Sequence, residues 1–191
     1  FEKKIRVGIL CSFSINGLEE TIHVKSAEKN IDCATYVGGY NQYNQEILNP
    51  DSNLYKFSSD ITFLIIDTRN ILGDLFYFSY AVSVLERKNF VEKKLKEIQT
   101  LANTFTNRTK SKLIIANFAI PPYSTHGIFE TKTEYGFHQM IEDLNRGLID
   151  SFVNSNSVYV YDFNGFVSLY GEDNVFDYKQ FFFGDMKVSL D

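Results

Sequence analysis

Polar residues whose chemistry could matter stand where apolar runs stop. Residues 5–18 read IRVGILCSFSINGL, a buried-strand pattern that breaks into Cys11, Ser12, Ser14 and Asn16 before a helix-like stretch begins. Residues 61–70 read ITFLIIDTRN and deliver Asp67, Arg69 and Asn70 in the same way. Between them, residues 40–55 are rich in Asn, Gln and Tyr and include Asn41, side chains that both donate and accept hydrogen bonds. A serine hydroxyl attacks carbonyls once a neighbouring base takes its proton. A strand-end arginine grips a carboxylate or phosphate through paired N–H groups. In an open α/β sheet such groups gather outside the carboxyl ends of the strands.

The elements that must position them follow from hydrophobic period. Five short apolar runs, at 5–10, 31–37, 61–66, 113–118 and 157–162, read as strands. The first is apolar almost throughout, the pattern of a strand covered on both faces near the centre of a parallel sheet. Asn16 and Glu19 have the spacing of a capping box opening a first helix that ends at Asn30. From 86 to 108, Val91, Leu95, Ile98, Ala102 and Phe105 recur at helical steps, with Lys and Glu on the other face. Phe137, Ile141, Leu144, Leu148 and Phe152 make a second long amphipathic helix. The aromatic stretch at 72–85 reads as a helix or lid, and the tail after Gly171 as aromatic and irregular. Strands alternating with helices and right-handed crossovers predict a three-layer α/β/α fold. Its sheet is doubly wound, five-stranded and parallel, in the order 2-1-3-4-5.

Composition narrows the function classes. At 191 residues the chain fits one domain, and its net charge of −5 with dispersed lysines argues against a nucleic-acid partner. Cys11 and Cys33 are too few for a disulfide framework, which points to a reducing cytoplasm. No apolar run reaches the roughly 20 residues that span a bilayer. No metal site and no cofactor are expected. The apolar ending reads as a cut before a further domain.

Five strings carry a family resemblance: ILCSFSINGL (9–18), VGGYNQYNQEILNPDSNLYKF (37–57), FLIIDTRN (63–70), the stretch around Asp143, Leu144 and Asn145, and VFDYKQFFFGDMKVSL (175–190). The second is the most specific. Together they make the chain resemble the N-terminal domain of FkbH-like proteins. That domain is similar to SGNH/GDSL hydrolases and is followed by a C-terminal haloacid-dehalogenase-type (HAD) phosphatase-like domain. The resemblance implies a single domain over 1–191, taken from a longer protein with that second half. Full-length members are associated with loading glyceryl units onto an acyl carrier protein.

Site residues follow from the resemblance position by position. Ser14 looks like the nucleophile, with Ser12 as the lesser candidate, and Gly39 resembles the glycine that supplies an oxyanion-hole amide. After the third strand, where the family pattern has Asn, either Asn70 fills a shifted position or Arg69 replaces it beside Asp67. The Asp-x-x-His of the family corresponds to Asp177-Tyr178-Lys179-Gln180, with Gln where the base belongs. Of the three histidines, His126 alone falls in a loop at the carboxyl edge and stands as the substitute base. No Asp-x-Asp occurs, so HAD phosphate chemistry is absent from this chain.

Plainer roles compete with each of these. Ser14 suits a helix cap, Gly38-Gly39 a turn of positive φ, Asp67 and Arg69 a structural ion pair, and His126 an ordinary loop position. Three functions remain open. The preferred one is an SGNH-like module with a degraded triad that binds an acyl or glyceryl group, or its carrier protein, for the neighbouring domain. The others are an active serine esterase or acyltransferase built on Ser14, and a purely structural interaction domain.

Overall fold

The computed structural model describes residues 1–189; Leu190 and Asp191, the last two residues of the chain, lie outside the described residues. Five parallel strands form one sheet: β1 (Lys3–Cys11), β2 (Ile31–Val37), β3 (Ile61–Ile65), β4 (Lys112–Ala116) and β5 (Val158–Tyr161). Their order is β2-β1-β3-β4-β5, as the sequence predicts. Right-handed crossovers then fix the faces. The β1–β2 connection runs one way along the sheet, and the next three connections run the other way, so they lie on opposite sides.

One side carries α1 (Leu18–Ala27), which packs along β2. The other carries α2 (Tyr43–Leu48), α3 (Asn53–Phe57), α6 (Val84–Arg108) and α7 (Phe137–Phe152). Two short helices, α4 (Thr68–Leu72) and α5 (Leu75–Phe78), and a 3-10 turn at Ser79–Ala81 precede α6. Thus the aromatic stretch breaks into short turns, with Gly73 at φ 56 between two of them. The main core forms where Leu10, Leu64, Leu113 and Ile115 meet Ile98, Phe105, Met140 and Leu144 of α6 and α7. Neighbouring positions on the same strands, Ile9 of β1 and Phe63 of β3, point to the α1 side.

One capping box forms where none was predicted, and the predicted one does not form. Ser83 and Glu86 form one at the start of α6. Asn16 and Glu19 do not: Gly17, at φ 84, takes the N-cap of α1, and Glu19 instead accepts from the Thr35 hydroxyl. That helix also stops at Ala27, and Asn30 turns left-handed at φ 59. The tail is more ordered than its composition suggests. After α8 (Phe163–Tyr170) it forms α9 (Glu172–Val175) and α10 (Tyr178–Gly184), then turns back. Asp185, at φ 51, makes that turn. Val188 pairs antiparallel with Phe176, and Met186 pairs parallel with Ser14.

Candidate functional site

Register places the site. Cys11 lies opposite Ile65 and Ile9 opposite Val37, so residues 12–14, 38–41 and 67–70 leave the sheet side by side at its carboxyl edge. The returning tail crosses this same edge.

Ser12 is buried and fully engaged. Its hydroxyl accepts the Asp67 N–H (2.8 Å) and donates to Asn70 Oδ1 (3.2 Å). Asp67 caps α4 by accepting the Arg69 N–H (2.9 Å), and its other carboxylate oxygen pairs with Lys187. Both members of that ion pair are buried, and the Lys187 ammonium lies 4.3 Å from the centre of the Phe176 ring. Such a pair is held by mutual attraction and packing, because each charge alone in this place would be strongly unfavourable.

Arg69 points to the same tail. Its guanidinium pairs with Asp185 and stacks 4.0 Å from the Phe181 ring centre. Burial opposes its charge, but hydrogen bonds with Tyr77 and Asp185 outweigh it and raise the pKa. The second Asp185 oxygen accepts from the Tyr40 hydroxyl (2.5 Å), which holds that phenol's proton and raises its pKa. Asp67 and Arg69 therefore do not face one another as an ion pair. Each is matched by a residue of the tail.

Ser14 stands on the other side of this network. It is half-buried and lines two hollows, of about 390 and 310 Å³. The larger is walled by Gly38 and Tyr40 on one side and by Asn16, Glu19 and Glu20 on the other. The Ser14 backbone N–H, which an oxyanion would need, donates instead to the Asp185 carbonyl (2.9 Å). No histidine lines either hollow. His126 stacks face to face on Tyr80, ring centres 3.4 Å apart, in the loop after β4. His23 hydrogen-bonds Thr35 (2.9 Å) through Nε2. His138 donates its backbone N–H to Glu130 (3.0 Å), and its buried Nε2 has no hydrogen-bond partner among the described residues.

The remaining predicted site residues have local roles. Asp177 caps α10 by accepting the Gln180 N–H (2.9 Å). Asn70 holds Ser12. Asn41 is exposed at φ 52, and its N–H donates to the Cys11 carbonyl (3.2 Å). Gly39 is exposed beside Gln42. Neither Gly38 nor Gly39 has positive φ; the left-handed residue of this turn is Asn41. Gly38 leaves room for Leu10: a Cβ there would sit 2.6 Å from Leu10 Cδ2 and displace that side chain. Burial pushes the nearby Cys11 thiol up to about 12. Sequence reasoning missed Lys187, Asp185 and the Glu19-Glu20 pair. For the first two no local signal existed, since their partners lie 120 and 116 residues away. Among the described residues no group of three His, Cys, Asp or Glu could hold a metal ion, and no helix is long and apolar enough to cross a membrane.

Residues 6–191 match the family described as FkbH, N-terminal domain. The chain belongs to this family. Comparison with curated proteins finds no match. Among solved structures, the N-terminal part of BF1531 from Bacteroides fragilis, which contains a phosphatase domain, superposes with a TM-score of 0.82 at 20% identity. It is matched over 98% of this chain and 48% of its own. The gut microbial diltiazem-metabolizing enzyme BT4096 follows with a TM-score of 0.58 and 14% identity, over 91% of this chain and 40% of that one. The acetyl xylan esterase AlAXEase has a TM-score of 0.50 and 15% identity, covering 89% and 83%. At these identities the likeness is one of fold. The chain spans about half the length, or less, of the first two.

Proposed function

We propose that this FkbH N-terminal domain is a binding module and not a hydrolase. It holds an acyl or glyceryl unit, free or on its acyl carrier protein, for transfer by a HAD-like domain of the same protein. The observation that carries this reading is the occupation of the hydrolytic edge by the chain's own tail. The Ser14 amide is bonded to Asp185, and Arg69 and Asp67 are matched by Asp185 and Lys187. A nucleophilic serine needs a base and an oxyanion site; here the amide is engaged and no histidine lines the Ser14 hollows.

The 390 Å³ hollow supports the ligand class. Glu19 and Glu20 accept hydrogen bonds from hydroxyls and repel phosphate, so the hollow suits the diol end of a glyceryl unit better than a phosphorylated precursor. Two free cysteines, one of them buried, fit a reducing cytoplasm.

The test is a titration of the full-length protein with a glyceryl thioester of pantetheine. Saturable binding that weakens about tenfold (about 1.4 kcal/mol) in Glu20→Ala, with the fold unchanged, is expected. No saturation, or binding indifferent to Glu20→Ala, contradicts the reading.

A further inference from the structure

The Ser14 hollows border a third space of opposite character. On the α1 side of the sheet a groove of about 560 Å³ runs between α1 and Phe163. Val7 and Ile9 of β1 and Phe63 and Ile65 of β3 form its floor, and no charged side chain lines it. Parallel sheets are ordinarily buried on both faces, and on the opposite face α6 and α7 do this. Here α1 packs along β2, while α8 buries Val167 in a separate small cluster with Ala119, Val175 and Phe176. The strip over β1 and β3 is left open. Its upper end adjoins the Ser14 site. Ile15 lines the groove and both Ser14 hollows; the groove further shares Phe13 with the 390 Å³ hollow, and Leu18 and Val188 with the 310 Å³ one. The polar hollow beside Glu19 and Glu20 and the apolar groove thus meet at one half-buried side chain, Ile15.

We propose that hollow and groove together take one amphipathic ligand, a glyceryl unit esterified to an aliphatic chain, as in a monoacylglycerol. The diol stays with Glu19 and Glu20, and the chain passes Ile15 and lies along β1 toward Ile5. The inference rests on the reading of the Ser14 hollow as a glyceryl site and adds what the glyceryl unit carries. Head and chain are selected by different physics. The two carboxylates accept from hydroxyls and repel an anionic head. The groove offers no charge and few polar atoms, so it holds a methylene chain, which needs no hydrogen bond, and penalises a polar one. Register sets the length. From Ile9 to Ile5, both lining the groove, β1 covers about 13 Å, the reach of an extended chain of about ten carbons. Cys33, opposite Ile5 on β2, lines the groove toward its far end.

The experiment titrates the full-length protein with glycerol 1-monoesters of two to twelve carbons, each below its micellar concentration. Affinity is expected to rise by about twofold or more for each added CH₂ and to level off near ten carbons. Cys33 supplies a second readout, since it is half-buried whereas Cys11 is buried with its thiol pushed up to about 12. The ten-carbon ester, and not the two-carbon one, should slow the reaction of Cys33 with a disulfide reagent, with Cys33→Ser as blank. Cys33→Trp, shown to be folded by circular dichroism, should move the plateau to shorter chains. Affinity that is equal for every ester overturns this proposal and leaves the glyceryl reading standing. So does binding of the glyceryl thioester of pantetheine without binding of any ester; failure of both compounds overturns the glyceryl reading as well. Decanoate that binds as tightly as the ten-carbon ester would assign the groove to a chain without a diol, and an unprotected Cys33 would place the chain elsewhere; either result also overturns the proposal.

Discussion

Ser12 and Ser14 leave the same strand two residues apart and meet opposite surroundings. Ser12 is enclosed by the end of β3, with the Asp67 N–H and the Asn70 amide saturating its hydroxyl. Ser14 faces the β1–β2 end, where the hollow is open and two carboxylates, not an imidazole and an oxyanion site, stand around it. The tail makes the division. Lys187 and Asp185 reach across the edge and neutralise Asp67 and Arg69, the residues with which a ligand on the β3 half would have had to pair. The polar residues that sequence reasoning grouped into one site thus form two: a lock and a hollow.

The comparison is sharpest where the lock is broken. Lys187→Ala leaves the Asp67 carboxylate buried and alone, and is expected to cost about 3–5 kcal/mol by urea unfolding. The double variant Asp67→Asn with Lys187→Met should recover most of that loss. If Lys187→Ala proves nearly neutral, the β3 half is not locked. Next comes Ser12→Ala, which removes the acceptor for a buried N–H and should cost about 1–3 kcal/mol.

A smaller effect shows only at alkaline pH. Burial raises the folded-state pKa of Cys11 from its ordinary 9.0 to about 12, so the folded chain favours the neutral thiol. Its contribution is fully present below pH 9.0 and declines as pH rises toward 12. Cys11→Ala should flatten this part of the stability profile; an unchanged slope would mean that water reaches the thiol through the hollow. The smallest effect belongs to Ser14→Ala, expected to stay within about 0.5 kcal/mol of the parent chain because its side chain holds nothing together.

How much of this was legible depends on distance along the chain. The runs VGIL, FLII and LIIA announce buried strands, and their alternation with helical periods gives the doubly wound order. Helix α6 was legible from Val91 to Phe105, though its start at Ser83 and Glu86 was not used. The matching pattern at Asn16 and Glu19 misleads because Gly17 adopts φ 84 and Glu19 finds a partner on β2. Arg87 sits within a run that reads as a wet helix face, yet it is buried and donates to the carbonyls of Ser79, Val82, Glu134 and Tyr135. The lock was illegible for the same reason. No local period records an ion pair formed between residues 67 and 187, and an aromatic tail reads as irregular until the sheet edge it covers is in place.

The central claim, that the edge resembling a hydrolase site holds no activated serine, is tested most directly by labelling with a fluorophosphonate probe, wild type beside Ser14→Ala. No labelling of the folded protein above the Ser14→Ala background is the predicted result. Fast, stoichiometric labelling that Ser14→Ala abolishes would contradict the account and establish a working nucleophile.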